Sequence, residues 1–189
     1  SVKAHAVSAK LTHRLWTAHE ELHSSSVVLV EIKTDDGLTG IGQIHGSPQK
    51  SICEWVARLA EVVRGMEATA SVAVWEKMFS LTSPRPNGMG GRDGLPAPLS
   101  RGARPQIMAA IAGIDIALWD IRGKAAGLPV YRLLGAEKRP IFTYATGGYY
   151  QLGAPDKVYA DELASFVSAG FRAVKLKTGG GTVTEEARR

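Results

Sequence analysis

Apolar and polar residues change their spacing several times along the chain, and each change marks an element. Residues 2–15 are mixed but compatible with a strand, and residues 16–26 are polar and carry two histidines. Val27-Val28-Leu29-Val30-Glu31-Ile32 is β-branched and apolar, which predicts a strand. Asp35-Asp36-Gly37 supplies turn residues for a hairpin into residues 38–44. The first 45 residues therefore read as an antiparallel meander with a long first connection. Ser47-Pro48 opens a helix in which Ile52, Trp55, Val56, Leu59 and Val63 recur at helical spacing and Gly65 ends the run. A second, short helix is expected over residues 72–81.

Residues 83–105 break the pattern with five prolines and five glycines. A loop of that length inside a compact domain is functional or disordered. Beyond Pro105 the helical signal is the strongest in the chain: Ile107, Ile111, Ile114, Leu118, Ile121 and Ala125 step by three and four. Pro105 suits a first helical turn, while Gly127 and Pro129 stop the helix. Asp120 and Lys124, four apart, are placed to pair. Residues 141–145 then read as a strand ending in Gly147-Gly148, and residues 155–169 as a helix with Val158, Leu163, Phe166 and Val167 apolar. Residues 171–177 read as a second strand, and residues 185–189 as the first turn of another helix. A strand–helix–strand unit with short links implies parallel strands. The pattern turns from α+β to βα near residue 140.

Composition narrows the class. An apolar fraction of 44% fits a globular chain. The single Cys53 excludes an internal disulfide and a cysteine-built zinc site, and favours a reducing compartment. It sits beside Trp55 and Val56 and reads as core filler. No apolar run approaches the roughly 18 residues of a membrane span, and no signal-peptide core is visible at the N-terminus, so a soluble, cytoplasmic protein without a membrane partner is expected. The formal charge of +5 arises wholly after residue 100. Its lysines and arginines are scattered rather than clustered with aromatics, which argues against a nucleic-acid partner.

The sharpest chemical feature is Val174-Lys175-Leu176-Lys177. Alternation puts both lysines on one face of a strand, with Cβ atoms roughly 6.5–7 Å apart. In a partly dry site two such ammonium groups disfavour each other's protonation, one route to a lysine base. A solvated strand face is the other reading, although parallel strands usually bury both faces.

The stretch from Ala110 through Gly113-Ile-Asp-Ile-Ala-Leu-Trp-Asp-Ile-Arg-Gly-Lys124 to Leu128-Pro-Val-Tyr-Arg-Leu-Leu-Gly135 resembles the mandelate racemase and muconate lactonizing enzyme group of the enolase superfamily, and Gly170-Phe-Arg-Ala-Val-Lys-Leu-Lys177 does so too. The likeness covers nearly the whole chain. It implies an α+β capping domain, residues 1–135, followed by the first two β/α units of a modified TIM barrel, residues 136–189. It also implies removal of a proton alpha to a carboxylate, with the enediolate held on Mg²⁺. By the resemblance Lys177 is the general base and Lys175 its partner. Substrate contacts fall on His19 and His23 in a lid over residues 15–25, on His45 within residues 42–46, and on Thr143. The substrate is a small carboxylate, with sugar-acid dehydration first, racemisation next, and lactonisation or dipeptide epimerisation open. Homo-oligomers, dimers or octamers, are usual in the group. The group's Mg²⁺ ligands belong to later barrel strands, so the chain is expected to carry none of them and to be inactive alone. A barrel takes about 250 residues. A non-catalytic piece acting through the capping domain is the alternative.

Three further features bear on function. His19-Glu20-Glu21-Leu22-His23 matches a zinc-protease pattern in letters, but that pattern needs a helix. A polar segment just before a strong strand leaves little room for one, and an exposed lid segment is expected instead. The glycine-rich residues 178–182 lack phosphate-loop spacing and read as a turn at a barrel mouth. Arg85, Arg92, Arg101 and Arg104 are candidates for contact with a carboxylate or a neighbouring subunit, or are simply solvated.

Overall fold

Period-2 alternation in the first third of the chain produces a sheet of three strands, β1 (Val2–Trp16), β2 (Glu21–Lys33) and β3 (Thr39–Ile44), in the order β1-β2-β3. The computed structural model describes residues 1–82 and 101–188. β2 and β3 pair antiparallel from Val28↔Ile44 to Lys33↔Thr39. Links between Ser1 and Lys33, Ser8 and Ser26, and Thr17 and Glu20 run β1 antiparallel to β2. The expected long connection between the first two strands is a correction: it is a tight turn of residues 17–20. The Thr17 N–H donates to the Glu20 carbonyl at 2.9 Å, and the Thr17 hydroxyl accepts the His19 and Glu20 amides, each at 3.2 Å. That local bonding lets a polar stretch continue as strand without apolar alternation.

Two units are distinguished by their internal contacts: Ser1–Ser8 with Ser26–Glu137, and Ala9–Ser25 with Lys138–Arg189. In the first, helices α1 (Gln49–Val63), α2 (Ser71–Ser80) and α3 (Arg104–Ala126) cover one face of the sheet. Val28, Val30, Ile32 and Ile44 from the strands meet Ile52, Val56 and Leu59 of α1, Val74 and Met78 of α2, and Ile107, Ile111, Ile114, Leu118 and Ile121 of α3 in one buried cluster. The apolar stripe read for α3 is thus its packed face, although Ala125 at its end is exposed. Pro105 lies in the first turn, and Gly127 takes the left-handed cap conformation at φ +63°. The Asp120–Lys124 pair, at 2.7 Å, also secures β3: Asp120 accepts the Ile41 amide at 2.9 Å and Lys124 donates to the Thr39 carbonyl.

β3 and α3 come unusually close. A Cβ on Gly40 or Gly42 would overlap the Ala117 or Gly113 carbonyl oxygen, and one on Gly113 would overlap Cγ1 and Cδ1 of Ile44. Absence of side chains at these three positions is what lets helix backbone lie against strand backbone. A four-residue helix, α4 (Val130–Leu133), follows α3.

The second unit has two short parallel strands, β4 (Ala145–Gly147) and β5 (Val174–Leu176), joined through α5 (Asp156–Ser168) and followed by α6 (Val183–Arg188). β4 lies later than the alternation of residues 141–145 suggested. Ile141, Phe142, Thr143 and Tyr144 are exposed and precede the ladder, which begins where Ala145 can donate to the Ala173 carbonyl, 3.1 Å. β5 is shorter than expected for the same reason: it is only as long as its partner. On α5 the buried residue is Tyr159, and Val167, expected on the apolar face, is exposed. Arg85 and Arg92, with the side chain of Arg101, lie outside the described residues, and Arg104 opens α3 with its side chain exposed.

Candidate active site

The register Ala145↔Val174, Thr146↔Lys175 and Gly147↔Leu176 divides the two-stranded sheet into unlike faces. One carries Ala145, Gly147, Val174 and Leu176 and turns to α5. A Cβ on Gly147 would lie 2.7 Å from the Phe166 ring and 2.9 Å from Glu162 Oε1, so glycine lets the helix settle on the strand. The other face carries Thr146 and Lys175 side by side. The Lys177 amide still donates to the Gly147 carbonyl at 3.3 Å, which carries the alternation one residue beyond β5 and puts Lys177 on the face of Lys175. Lys175 is exposed and Lys177 half-buried. The Lys177 Nζ stands 5.2 Å from the centre of the ring of Tyr149, two residues beyond β4, a cation–π contact.

The segments around this strand end are tied by specific hydrogen bonds. Glu162 Oε2, from α5, accepts the Gly148 amide at 2.8 Å. Tyr150 forms an antiparallel bridge with Trp16, their amides donating to each other's carbonyls at 2.9 and 3.0 Å. The turn of residues 17–20 thereby belongs to the same unit as Lys177, and a Cβ on Gly179 would lie 3.8 Å from Ala18 Cβ. After the glycines, Thr182 and Glu185 form a reciprocal cap on α6. The Glu185 carboxylate accepts the Thr182 amide at 2.8 Å, and the Thr182 hydroxyl accepts the Glu185 amide at 3.4 Å. The Thr182 amide first, and second the Thr182 hydroxyl, which also donates to the Glu185 carboxylate at 2.8 Å, hold that carboxyl below its ordinary range.

The candidate residues divide between the units. Lys175, Lys177, His19, His23 and Thr143 lie in the second unit, and His45, exposed just after β3, lies in the first. His19 is exposed in the turn and His23 is exposed on β2, its Nε2 3.4 Å from Glu21, which also faces Arg14 at 3.6 Å. The histidine-rich pentapeptide is turn and strand, so its two imidazoles do not share a helix face. Thr143 is exposed ahead of β4, whereas Thr146 stands beside Lys175. Cys53 is half-buried on α1, and burial pushes its thiol up, away from the reactive thiolate.

Sequence reasoning missed Thr146, Tyr149, Tyr150, Glu162 and Glu186. The Thr182-x-x-Glu185 spacing was available as a capping signal. Tyr150 and Glu186 carry no pattern, because their meeting depends on how α6 returns to β4. Among the described residues no three His, Cys, Asp or Glu side chains stand together as a cation site. The described residues therefore do not fit Mg²⁺. Among them, too, no helix is long and apolar enough to cross a membrane.

Residues 1–135 match the family model for the N-terminal domain of mandelate racemase / muconate lactonizing enzyme. An arabinonate dehydratase of Saccharolobus solfataricus is 32% identical over 169 residues, covering 88% of this chain and 41% of that protein. A solved member of the enolase superfamily from Polaromonas sp. JS666 superposes with a TM-score of 0.79 at 30% identity, over 98% of this chain and 45% of the other. The L-talarate/galactarate dehydratase of Salmonella typhimurium LT2, solved with Mg and L-lyxarohydroxamate, gives a TM-score of 0.75 at 25% identity, over 99% of this chain and 46% of the other. The chain thus spans less than half the length of these relatives.

Proposed function

The chain belongs to the mandelate racemase / muconate lactonizing enzyme family, and we propose that the whole protein abstracts a proton alpha to the carboxylate of a sugar acid and eliminates water from it. The observation that carries this reading is the placement of Lys175 and Lys177 on one face at the C-terminal end of a parallel strand, in the unit that also holds the turn of residues 17–20. In α/β sheets that end is where ligands are held. Lys177, half-buried against Tyr149, is the group restrained enough to act as base. Lys175, exposed beside Thr146, is free to extend toward a carboxylate.

The chemistry balances simply. The amine of Lys177 takes the C2 proton of a 2,3-dihydroxy acid, and the electron pair left on C2 forms the C2=C3 bond. The C3 hydroxyl takes up a proton and leaves as water. The resulting enol becomes a 2-keto-3-deoxy acid. The dehydratases among the relatives support the choice of dehydration over racemisation. Mg²⁺ is inferred from the family as the cofactor of the whole protein, held by later barrel strands that follow residue 189, and the 189-residue chain alone is expected to be inactive.

Full-length protein incubated in D₂O with Mg²⁺ and a panel of aldonates tests the reading by NMR of the C2 position. The wild type is expected to convert at least one acid, and Lys177→Met to lose both C2 exchange and product while retaining its fold. Undiminished exchange in Lys177→Met removes Lys177 from the mechanism.

A further inference from the structure

The backbone and side chain of Tyr150 reach different segments. Its backbone pairs with Trp16 on the strand that leads into the residue 17–20 turn. Its phenol accepts the Gly180 amide at 2.8 Å and donates to the Glu186 carboxylate, and that same Oε1 accepts the Gly181 amide at 2.9 Å. A Cβ on Gly180 would lie 2.8 Å from the Tyr150 ring, so ring and loop are in contact and a side chain there would push them apart. Gly179-Gly180-Gly181 begins two residues after Lys177 and is the freest backbone a chain can have. Two of its three amides are nevertheless held, one by Tyr150 and one by Glu186.

We propose that Tyr150 is a positioning residue, which with Glu186 holds the glycine loop after Lys177 and the Trp16 turn in one arrangement. The inference rests on Lys177 as the base and adds what fixes the end of its strand. Adjacent tyrosines divide the work: Tyr149 lies against the Lys177 ammonium, and Tyr150 holds the backbone that follows it. A phenol suits the task because its rigid ring carries one oxygen able to accept from an amide and donate to a carboxylate at once. Ordering the loop before substrate arrives removes that cost from the reaction, where a misplacement of about 1 Å can lower the rate about a hundredfold.

Two readouts on the full-length protein test this. Amide hydrogen exchange with no substrate present should rise about fivefold to tenfold over residues 178–182 in Tyr150→Phe, which removes the phenol's bonds to Gly180 and Glu186, and rise less over residues 16–20, whose backbone pairing with residue 150 remains, with the β2–β3 amides unchanged. Glu186→Gln keeps an acceptor for both partners and should stay close to wild type, while Glu186→Ala should resemble Tyr150→Phe and serves if that variant fails to fold. In the C2-exchange assay Tyr150→Phe should lower kcat about tenfold more than it changes KM, with the pH midpoint of the rate unmoved. Unchanged hydrogen exchange at both segments overturns the proposal. A moved pH midpoint also overturns it, since Tyr150 would then take part in proton transfer. If the wild type shows no C2 exchange on any acid, the reading of Lys177 fails, and the hydrogen-exchange result still decides whether Tyr150 holds the loop.

Discussion

Replacing Gly113 with alanine sets helix propensity against packing. In an exposed helix interior the change from glycine to alanine stabilises by about 1 kcal/mol. Here the added Cβ would overlap Cγ1 and Cδ1 of Ile44 and stand 3.0 Å from Val30 Cγ2. Ile44 and Val30 are 3% and 0% exposed, so neither has open space to swing into. Cγ1 is bound directly to the Ile44 Cβ, so relief requires the strand itself to move away from α3. Overpacking of this kind costs about 1–3 kcal/mol, and the moved strand also weakens the Asp120–Ile41 anchor, so the loss should reach the upper end of that range. Against the propensity gain, a net destabilisation of about 2 kcal/mol is expected, equivalent to about 4–8 °C in the melting temperature of a chain this size. Ile44→Ala alone should cost about 2–5 kcal/mol by leaving a cavity. Combined with Gly113→Ala it should cost less than the sum, because the new methyl occupies part of that cavity. Melts followed by circular dichroism on the four proteins close the cycle. A higher melting temperature for Gly113→Ala, or additivity within about 0.5 kcal/mol, would refute the reasoning.

Asp115 on α3 is held above the ordinary carboxylate range by burial, partly offset by the Arg122 guanidinium, so the folded chain resists its ionisation. Asp115→Asn should therefore raise the melting temperature at neutral pH, and the gain should vanish as pH falls below the unfolded carboxylate range; an equal gain at pH 3 and pH 7 sinks the assignment. Glu185 has the opposite sign: its carboxyl is depressed, so the α6 cap is intact above the unfolded carboxylate range and lost as pH falls through the lower folded value. Thr182→Ala should free the Thr182–Glu186 amides to exchange at neutral pH as wild type does in acid, read by NMR. Limited proteolysis of the 189-residue chain should cut within residues 138–189 well before β2, α1 or α3, since apolar side chains there are uncovered; initial cleavage within α3 would contradict this.

How legible an element was followed from what fixes it. α3 could be read complete because its signals are local and redundant: a stripe at helical spacing, Pro105 at the start and Gly127 in the left-handed region at the end. The β2–β3 hairpin was equally plain, with apolar alternation on both sides of Asp36-Gly37. The outer half of the β1–β2 hairpin was not. Residues 23–25 are exposed, so their alternation leaves no hydropathic trace, and the hydroxyl bonding of Thr17 carries the turn instead. β4 was misplaced because its own residues are small. Gly147 lacks a side chain where α5 approaches and Ala145 is small and buried, while the more strand-like Ile141 and Phe142 are exposed. Lys175 and Lys177 stand out in the sequence because they lie two apart at the end of a predicted strand. Thr146, Tyr150 and Glu186 do not, since they meet the lysine strand only through pairing and the return of α6.

The two units also differ in how much of their apolar surface they cover, and this bears on the chemistry. In the first, sheet and helices enclose a continuous core around Val28, Val30, Ile111 and Ile114. In the second, Leu152, Val167 and Val183 are 89%, 66% and 87% exposed, around a sheet of two strands. Such side chains contribute little to stability while they face water, and each gains about 1.5–3 kcal/mol on full burial. Protein added over the opposite face of the sheet would exclude water from Lys175 and Lys177. A lysine acts as a base near neutral pH only where its charged form is disfavoured, which needs dry surroundings or a neighbouring cation. Stability of this unit and the reaction we propose at Lys177 therefore call for the same cover, and relatives more than twice as long have the chain to provide it.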